Sequence, residues 1–227
     1  DEEMNLPAPH PHPDQRFGGH TFAQHGDDLM ILSIFDLLGI DKPSYLDIGA
    51  HHPWNISNTA LLYQRGSRGI NIEANPALIG AFNEHRPEDI NLNVGIVPAP
   101  ATQKTMPFYM LDDLSGRNTF SEYSLEKANL SATKEIILPV TTLDEVIEDN
   151  GGKWPDLLTI DIEGLDYGVL QTSKLNAISG PRLIVVETRA HEEDRMKSLM
   201  DERGYHPYCR MIENMFFVRK DDLTSLI

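Results

Sequence analysis

The stretch SYLDIGAHHPWNISNTALLYQRGSRGINIEANP, residues 44–76, decides the fold. Residues 44–48 are typical of a short buried strand, and residues 69–73 are typical of a second one. Between them, residues 57–65 predict a helix with Ser57 as its N-cap. Asn75-Pro76 then opens the next helix, because Asn caps helices and Pro suits their first turn. Strand–helix–strand order predicts parallel strands joined by right-handed crossovers.

The same alternation continues along the chain and ends differently. Further strands are predicted at residues 90–96, 136–140, 156–161 and 182–187, and further helices over residues 29–38, 142–151, 165–170 and 191–203. Residues 205–210 and 214–219 are two strands with a short turn between them, which predicts an antiparallel hairpin. Pro207 favours an edge position for the first of these two strands. We therefore predict an α/β fold with a doubly wound, mostly parallel, seven-stranded sheet and a reversed C-terminal hairpin strand.

The domain organisation follows from where this pattern begins and where it is interrupted. Residues 1–19 alternate Pro with His and contain few apolar residues, so we expect an extended arm. Residues 20–227 form a single predicted domain. Within it, residues 97–134 break the alternation and are interpreted as an insertion over the strand tips, with one strand at 106–111.

Composition excludes several classes of function. The chain has 227 residues, with 19 Lys and Arg against 35 Asp and Glu, and a formal charge of −16. Nucleic acid and anionic membranes are unexpected partners, because binding their phosphates needs clustered cations. No apolar run approaches the roughly 18 residues of a membrane span. The single cysteine, Cys209, and the absence of a basic-then-apolar leader predict a cytoplasmic protein.

Polar residues gather after the predicted strands, where open α/β sheets bind ligands. Asp47 and Gly49 lie at the end of the first strand, and Glu73 ends the second strand, 26 residues after Asp47. That spacing suits a carboxylate that accepts hydrogen bonds from ribose hydroxyls. The chain has neither a G-x-G-x-x-G motif nor a phosphate-binding G-x-x-x-x-G-K-[ST] loop. A nucleoside cofactor without phosphate fits this pattern, and S-adenosylmethionine is the candidate.

Several stretches together resemble the FkbM-type S-adenosylmethionine-dependent methyltransferases, which have the class I methyltransferase fold. They are FAQHGDDLMI (22–31), DIGAHHPWNISNTALLYQRGSRGINIEANP (47–76), MPFYMLDDLSGRNTFSEYS (106–124) and LLTIDIEGLDYGVLQT (157–172). The resemblance covers residues 22–219. It implies O-methylation of a hydroxyl group on a sugar, a glycan or a secondary metabolite. One departure is Pro53, where many class I enzymes carry Gly.

Cofactor contacts are expected from the strand ends and from the first helix. The predicted cofactor-binding residues are Gln24, Asp27, Asp47, Gly49, Ala50, Ser57, Asn58, Glu73, Asn75, Asn93 and Gly95. Acceptor contacts are expected from the insertion, as an acceptor wall or as a lid. The predicted acceptor residues are Asn118, Thr119 and Ser121.

An alcohol must lose a proton when it is methylated, so a base or a metal ion is expected near the acceptor. The predicted catalytic residues are His51, His52, Asp161 and Glu187. The predicted metal ligands are Asp161, Glu163, Glu187 and His191. Oxygen ligands favour magnesium or calcium, whereas added histidines favour manganese or zinc.

Two other functions are compatible with these residues. A metal-dependent hydrolase could use the same histidines and carboxylates, although no H-E-x-x-H spacing is present. A nucleoside-binding domain without turnover is the non-enzymatic alternative. The acceptor and the oligomeric state do not follow from the sequence.

Overall fold

A computed structural model of the chain describes residues 20–226. Its strands are β1 (Tyr45–Ile48), β2 (Gly69–Ile72), β3 (Ile90–Leu92), β4 (Gly95–Ile96), β5 (Thr105–Met110), β6 (Lys134–Thr141), β7 (Leu157–Ile160), β8 (Leu183–Glu187), β9 (Tyr205–Met211) and β10 (Asn214–Arg219). Its α-helices are α1 (Asp27–Leu37), α2 (Ala60–Gln64), α3 (Pro76–His85), α4 (Glu122–Lys127), α5 (Leu143–Asp149), α6 (Asp166–Thr172) and α7 (Glu193–Glu202). Short 3₁₀ helices span Ala190–Glu192 and Lys220–Ser225.

The central sheet has seven strands in the order β3-β2-β1-β7-β8-β10-β9. The first five strands are mutually parallel, and β10 pairs antiparallel with both β8 and β9. The predicted fold class is therefore confirmed, including the reversed strand of the C-terminal hairpin. Pro207 lies in β9 at the edge of the sheet, as predicted, and the register between β9 and β10 shifts beside it.

A second, three-stranded sheet has the order β4-β6-β5. Because of this second sheet, two strands predicted from the sequence differ from those in the structure. The strand expected over 90–96 is divided, because β3 pairs with β2 whereas β4 pairs with β6. The strand expected over 136–140 is part of β6, which pairs with β5 rather than with the central sheet. Both strands carry apolar side chains, and periodicity does not reveal the partner strand.

Apolar side chains cover both faces of the central sheet. On one face, Phe35 and Leu62 of α1 and α2 pack against Val185 of β8. On the other, helices α5, α6 and α7 contribute residues such as Leu170 to a second core. Burying a side chain such as Phe35 stabilises the fold by roughly 1.5–3 kcal/mol. This packing fixes the strands, and the carboxyl ends of the parallel strands carry the loops described below.

The capping residues confirm the predicted starts of two helices, whereas a third helix begins later than predicted. Asn75 Oδ1 accepts from the Ala77 amide at 3.0 Å at the start of α3. Thr142 and Glu145 form a reciprocal capping box at the start of α5. By contrast, α2 begins only after Thr59, later than predicted, and Ser57 Oγ accepts from the Ala60 amide at 3.1 Å.

The proline-rich arm predicted for residues 1–19 lies outside the described residues. Within residues 20–226, no helix combines the length and the apolar character needed to cross a lipid bilayer.

Candidate active site

The loops that follow β1 and β7 meet at the carboxyl edge of the sheet. Gly49 follows β1 with a φ of 77°, and the Asp161 amide donates to the Ile48 carbonyl at 2.9 Å. A Cβ atom at Gly49 would lie 1.8 Å from the Asp161 carbonyl oxygen. Glycine is therefore required here both by its backbone conformation and by the close approach of the neighbouring strand.

Two cavities open at this edge and share a wall. A narrow slot of about 50 Å³ is lined by Gly49, His51, Glu73, Asn75, Gly95, Asn118, Thr119, Asp161 and Glu163, among others. A wide cleft of about 880 Å³ is lined by Gln24, Asp47, Gly49, Ala50, His51, Asn58, Asp161, Glu163 and Glu187, among others. The wall that the two cavities share includes Gly49, His51, Asp161 and Glu163. We call this shared wall the junction.

Glu73 is buried in the slot and anchors the loops after β1 and β2. Its Oε2 accepts from the His51 amide at 2.8 Å, and its Oε1 accepts from the Asn75 amide at 2.7 Å. Burial raises the pKa of Glu73 to about 7, although these two hydrogen bonds oppose the rise. Each carboxylate oxygen has a second lone pair, so Glu73 can still accept from a ligand hydroxyl.

Asp47 lines the wide cleft and is part of a buried polar network. Thr59 Oγ1 donates to Asp47 Oδ2 at 2.6 Å, and Arg86 Nη2 donates to Thr59 Oγ1 at 3.1 Å. Arg86 also donates to Asp89 Oδ2 at 2.9 Å and to the Tyr45 hydroxyl at 2.8 Å. Burial raises the pKa of Asp47 to about 6, against the opposing effects of Thr59 and Arg86.

Three carboxyl groups converge behind the junction. One oxygen from each of Asp161, Asp166 and Glu187 lies within 4.8 Å of the other two. Burial, and then the charge of Glu187, raises the pKa of Asp161 well above its usual range. Burial also raises the pKa of Glu187. The Asp161 side chain is exposed at the junction, whereas Asp166 is buried and Glu187 is half-buried.

The same three carboxyl groups are chemically suited to a hard divalent cation. Asp166 also accepts from the amides of Ile162 and Gly164, at 2.9 and 3.0 Å, which holds its carboxylate in place. The geometric set differs from the predicted one, since Asp166 takes the place of Glu163 and His191. With no histidine in the set, its ligand chemistry favours magnesium, calcium or manganese over zinc.

Comparison with known proteins places the chain in a family. A sequence model described as the methyltransferase FkbM domain matches residues 47–207, well over half of the chain. The chain belongs to the FkbM methyltransferase family. The resemblance noted in the sequence is thereby confirmed, and the matched residues include the loops after β1, β2, β7 and β8. No functionally curated protein matches the chain.

Solved methyltransferase structures are similar to this FkbM domain at low sequence identity. An FkbM methyltransferase from Methylobacillus flagellatus KT is 12% identical, with a TM-score of 0.47, and the match covers 78% of this chain and 44% of that one. The chain thus spans less than half the length of that protein. A TehB-like SAM-dependent methyltransferase from Corynebacterium glutamicum is 12% identical, with a TM-score of 0.42, and the match covers 91% and 93% of the two chains.

The two histidines after β1 of the FkbM domain have different surroundings. His51 lies at the junction with a φ of 57°, and its ring lies against Gly116. Burial lowers the pKa of His51, which keeps its imidazole neutral at pH 7. His52 Nδ1 instead accepts from the amides of Trp54 and Asn55, at 3.1 and 3.0 Å. That nitrogen caps a turn, and His52 is absent from the described lining of both cavities.

Several predicted site residues support the FkbM loops without lining either described cavity. They are Asp27, Ser57, Asn93, Ser121 and His191. Ser121 caps α4, Ser57 Oγ accepts from the Ala60 amide ahead of α2, and Asn93 Nδ2 donates to the carbonyls of Glu73 and Ala74. Asp27 is buried and accepts from Asn214 Nδ2 at 3.2 Å. His191 Nε2 lies 2.7 Å from Lys127 Nζ.

The insertion of the FkbM domain contributes to both cavities. Asn118 and Thr119 line the slot, where Asn118 bonds to backbone atoms of Leu111 and Asp112. Thr119 Oγ1 donates to the Glu163 carbonyl at 3.2 Å. Asn118 therefore ties the insertion to itself, whereas Thr119 ties it to the loop after β7. Next to them, the Phe120 ring packs against Gly95 and narrows the slot.

The residues predicted from the sequence did not include four that matter at this site: Thr59, Arg117, Asp166 and Arg189. Asp166 follows the DIEG loop by two residues, and that proximity was the available signal. Thr59 and Arg189 give no such signal. Thr59 reaches Asp47 only after α2 packs on the sheet, and the Arg189 guanidinium lies 3.9 Å from Glu163 across the cleft.

Proposed function

We propose that the chain is an S-adenosylmethionine-dependent O-methyltransferase that acts on a hydroxyl group of a sugar, a glycan or a secondary metabolite. The observation that carries the proposal is the junction, where a buried slot that ends at Glu73 meets a wide polar cleft. Membership of the FkbM family favours methyl transfer over hydrolysis. The carboxylates and imidazole at the junction favour a hydroxyl acceptor, because an alcohol has to lose a proton.

The cofactor's nucleoside is assigned to the slot and its amino-acid end to the cleft. Glu73 would accept from ribose hydroxyls, and Gly49 lets the backbone approach without a Cβ clash. Asp47, at the cleft, would pair with the cationic amino group. The slot of about 50 Å³ is smaller than a nucleoside. Binding therefore includes displacement of the Phe120 ring from Gly95.

Bound S-adenosylmethionine supplies a methyl group on a positively charged sulfur. The residues of the site would align the acceptor oxygen with that methyl group and take the hydroxyl proton. We assign the proton to the His51 imidazole, which is neutral at pH 7 and lies at the junction. Asp161 suits this role less well, because burial and the neighbouring Glu187 charge raise its pKa well above its usual range and so favour its protonated form.

A divalent metal ion is the second part of the proposal. Asp161, Asp166 and Glu187 would hold magnesium, calcium or manganese, which would displace the proton of Asp161. A metal ion there would lower the pKa of a neighbouring acceptor hydroxyl. Chelation with EDTA, followed by addition of Mg²⁺, tests this part. Methyl transfer that is unchanged by EDTA would contradict the metal and leave proton removal to side chains alone.

Calorimetric titration with S-adenosylhomocysteine tests the proposed function directly. Micromolar binding by the wild type is expected, weakened by about 1–3 kcal/mol in Glu73→Ala, because the ribose hydroxyls would lose a buried acceptor. Glu88→Ala is the matched control, since Glu88 is an exposed carboxylate outside both cavities. Absence of binding by folded wild-type protein at millimolar ligand would overturn the proposal. Cofactor binding without methylation of any hydroxylated acceptor would favour the nucleoside-binding alternative.

A further inference from the structure

The wide cleft carries cations in a chain that is strongly acidic. Four basic side chains line it beside five acidic ones; the basic residues are Arg117, Lys127, Arg189 and Arg210, and the acidic ones are Asp47, Asp161, Glu163, Glu187 and Glu213. The four basic residues come from the insertion, which includes α4, from the loop after β8 and from β9. The fold thus brings cations from three parts of the chain to one cleft.

Two of these four side chains already make hydrogen bonds or an ion pair with other residues of the protein. Arg210 donates to the carbonyls of Ile212 and Thr188, at 3.0 and 2.9 Å, and pairs with Glu193 at 2.8 Å. Lys127 Nζ lies 2.7 Å from His191 Nε2. These contacts hold both side chains in place without a ligand.

The guanidinium groups of Arg117 and Arg189 make no comparable hydrogen bonds within the described residues. Within residues 20–226, neither guanidinium donates a hydrogen bond. Arg189 lies 3.9 Å from Glu163 Oε2, which is an ion pair too long to be a hydrogen bond. The positive charges of Arg117 and Arg189 both act on the Glu163 carboxylate. Two arginine side chains with free N–H donors therefore line the wide cleft together with Glu163 of the junction.

We propose that the acceptor carries an anionic group, a carboxylate, sulfate or phosphate, which Arg117 and Arg189 bind in the wide cleft. The proposal rests on the proposed methyl transfer, since it names the acceptor's chemical class. Planar guanidinium groups match such anions geometrically through paired N–H donors. Binding the anion at the cleft would leave the acceptor's hydroxyl free to face His51 at the junction.

Anion binding to protein saturated with S-adenosylhomocysteine tests the proposal. The probes are D-glucuronate, its neutral methyl ester, inorganic sulfate and inorganic phosphate, titrated calorimetrically at constant ionic strength. At least one of the three anions is expected to bind, and the methyl ester is not. The double variant Arg117→Gln/Arg189→Gln is expected to lose about tenfold or more in anion affinity, because two charge-assisted contacts are removed.

The double variant Lys134→Gln/Lys153→Gln is the matched control. It removes the same charge from two exposed lysines outside the cleft lining, so anion affinity should stay close to that of the wild type. Equal loss in both double variants would reduce the effect to overall charge and overturn the proposal. So would failure of all three anions to bind at millimolar concentration.

Affinity for S-adenosylhomocysteine separates this inference from the proposed function. The cleft arginine variant is expected to bind S-adenosylhomocysteine as the wild type does. If its affinity falls instead, the arginines hold the carboxylate of the cofactor, and the acceptor proposal is wrong. If the wild type binds no S-adenosylhomocysteine, the proposed function fails, and the same anion titrations on the free protein still report on the arginines.

Discussion

The Thr59 hydroxyl donates a hydrogen bond to Asp47 Oδ2 over 2.6 Å, and both side chains are buried. Thr59 also accepts from Arg86, so a cation deep in the fold is linked to a carboxylate that lines the wide cleft. The link joins the ends of β1, α2 and α3. Because Asp47 is the proposed partner of the cofactor's amino group, its orientation depends on residues that never reach the cavity.

Replacing Thr59 with Val keeps the side-chain shape and removes the hydroxyl. We expect Thr59→Val to lower the free energy of unfolding by about 1–3 kcal/mol, because Asp47 and Arg86 each lose a buried partner. Thr59→Ser restores the hydroxyl and should recover most of the loss. Chemical denaturation of the three proteins measures this. Equal stability of Thr59→Val and the wild type would show that the hydrogen bond contributes little.

Arg86 offers a comparison between a buried and an exposed ion pair. Arg86 and Asp89 form a fully buried pair at 2.9 Å, whereas Arg68 and Glu88 form an exposed pair at 3.0 Å. Arg86→Met should destabilise the fold by about 3–5 kcal/mol, because Asp89 would be left buried without its cation. Arg68→Met should cost less than about 1 kcal/mol. Similar losses in the two variants, measured by urea denaturation, would contradict this reading of the network.

Gly49 should tolerate no side chain. In Gly49→Ala the added Cβ would meet the Asp161 carbonyl at 1.8 Å, so the loop after β1 must move. We expect lower thermal stability and loss of S-adenosylhomocysteine binding. Gly80→Ala in α3 is the control, since a Cβ there meets no atom within 4 Å, and alanine should stabilise the helix by about 0.5–1 kcal/mol. Unimpaired binding by Gly49→Ala would show that the strand ends can separate.

Thermal stability should rise as the pH falls from 8 toward 5. Burial raises the pKa of Asp47 to about 6, and that of Glu73 and Asp166 to about 7, above the values of about 4 in the unfolded chain. In this range the folded state binds more protons, so its stability is lost as pH rises through about 6 to 7. Calorimetric scans across this range measure the change in Tm. In Asp166→Asn the dependence should be shallower, and a wild-type Tm that is flat or rises with pH would contradict the assignment.

The proton acceptor can be identified from the pH profile of methyl transfer. Burial lowers the pKa of His51 below its ordinary value, so a rate that depends on neutral His51 should be nearly constant above pH 7. His51→Gln should reduce kcat by about 100-fold or more, with a smaller change in KM. A carboxylate base would behave differently: burial raises the pKa of Glu163 to about 7, so the rate would still climb through neutrality. A climb through pH 7 that disappears in Glu163→Gln would move the role from His51 to Glu163.

Much of the central fold could be predicted because its signals are local. The buried run before Asp47, the Asn75-Pro76 start of α3 and the short turn before Asn214 each depend on neighbouring residues. Prediction failed where pairing is long-range. Residues 136–140 read as a strand, but their partner β5 is in the insertion, and no local pattern records that pairing.

The residues of the candidate site also fall into two groups, those that the sequence predicted and those whose role depends on the tertiary structure. Sequence position predicted that Gly49, Glu73, Asp161 and Glu187 lie at the carboxyl edge, since parallel strands end together, and all four line the two cavities. The use of His52 for a turn rather than the cavity depends on one ring nitrogen and two backbone amides. These hydrogen bonds form only when the loop folds, so the spacing of residues in the sequence does not predict them.

The sequence by itself determined most of the strand–helix alternation of the central sheet, the reversed hairpin strand and the family, because hydrophobic period, capping residues and motif spacing are all properties of contiguous chain. Only the tertiary structure decided which three acids converge, which histidine lies at the junction and which arginines line the cleft. Those properties depend on distances of a few ångströms between residues such as Glu163 and Arg189, 26 positions apart in the chain, and on the burial that packing imposes on such groups.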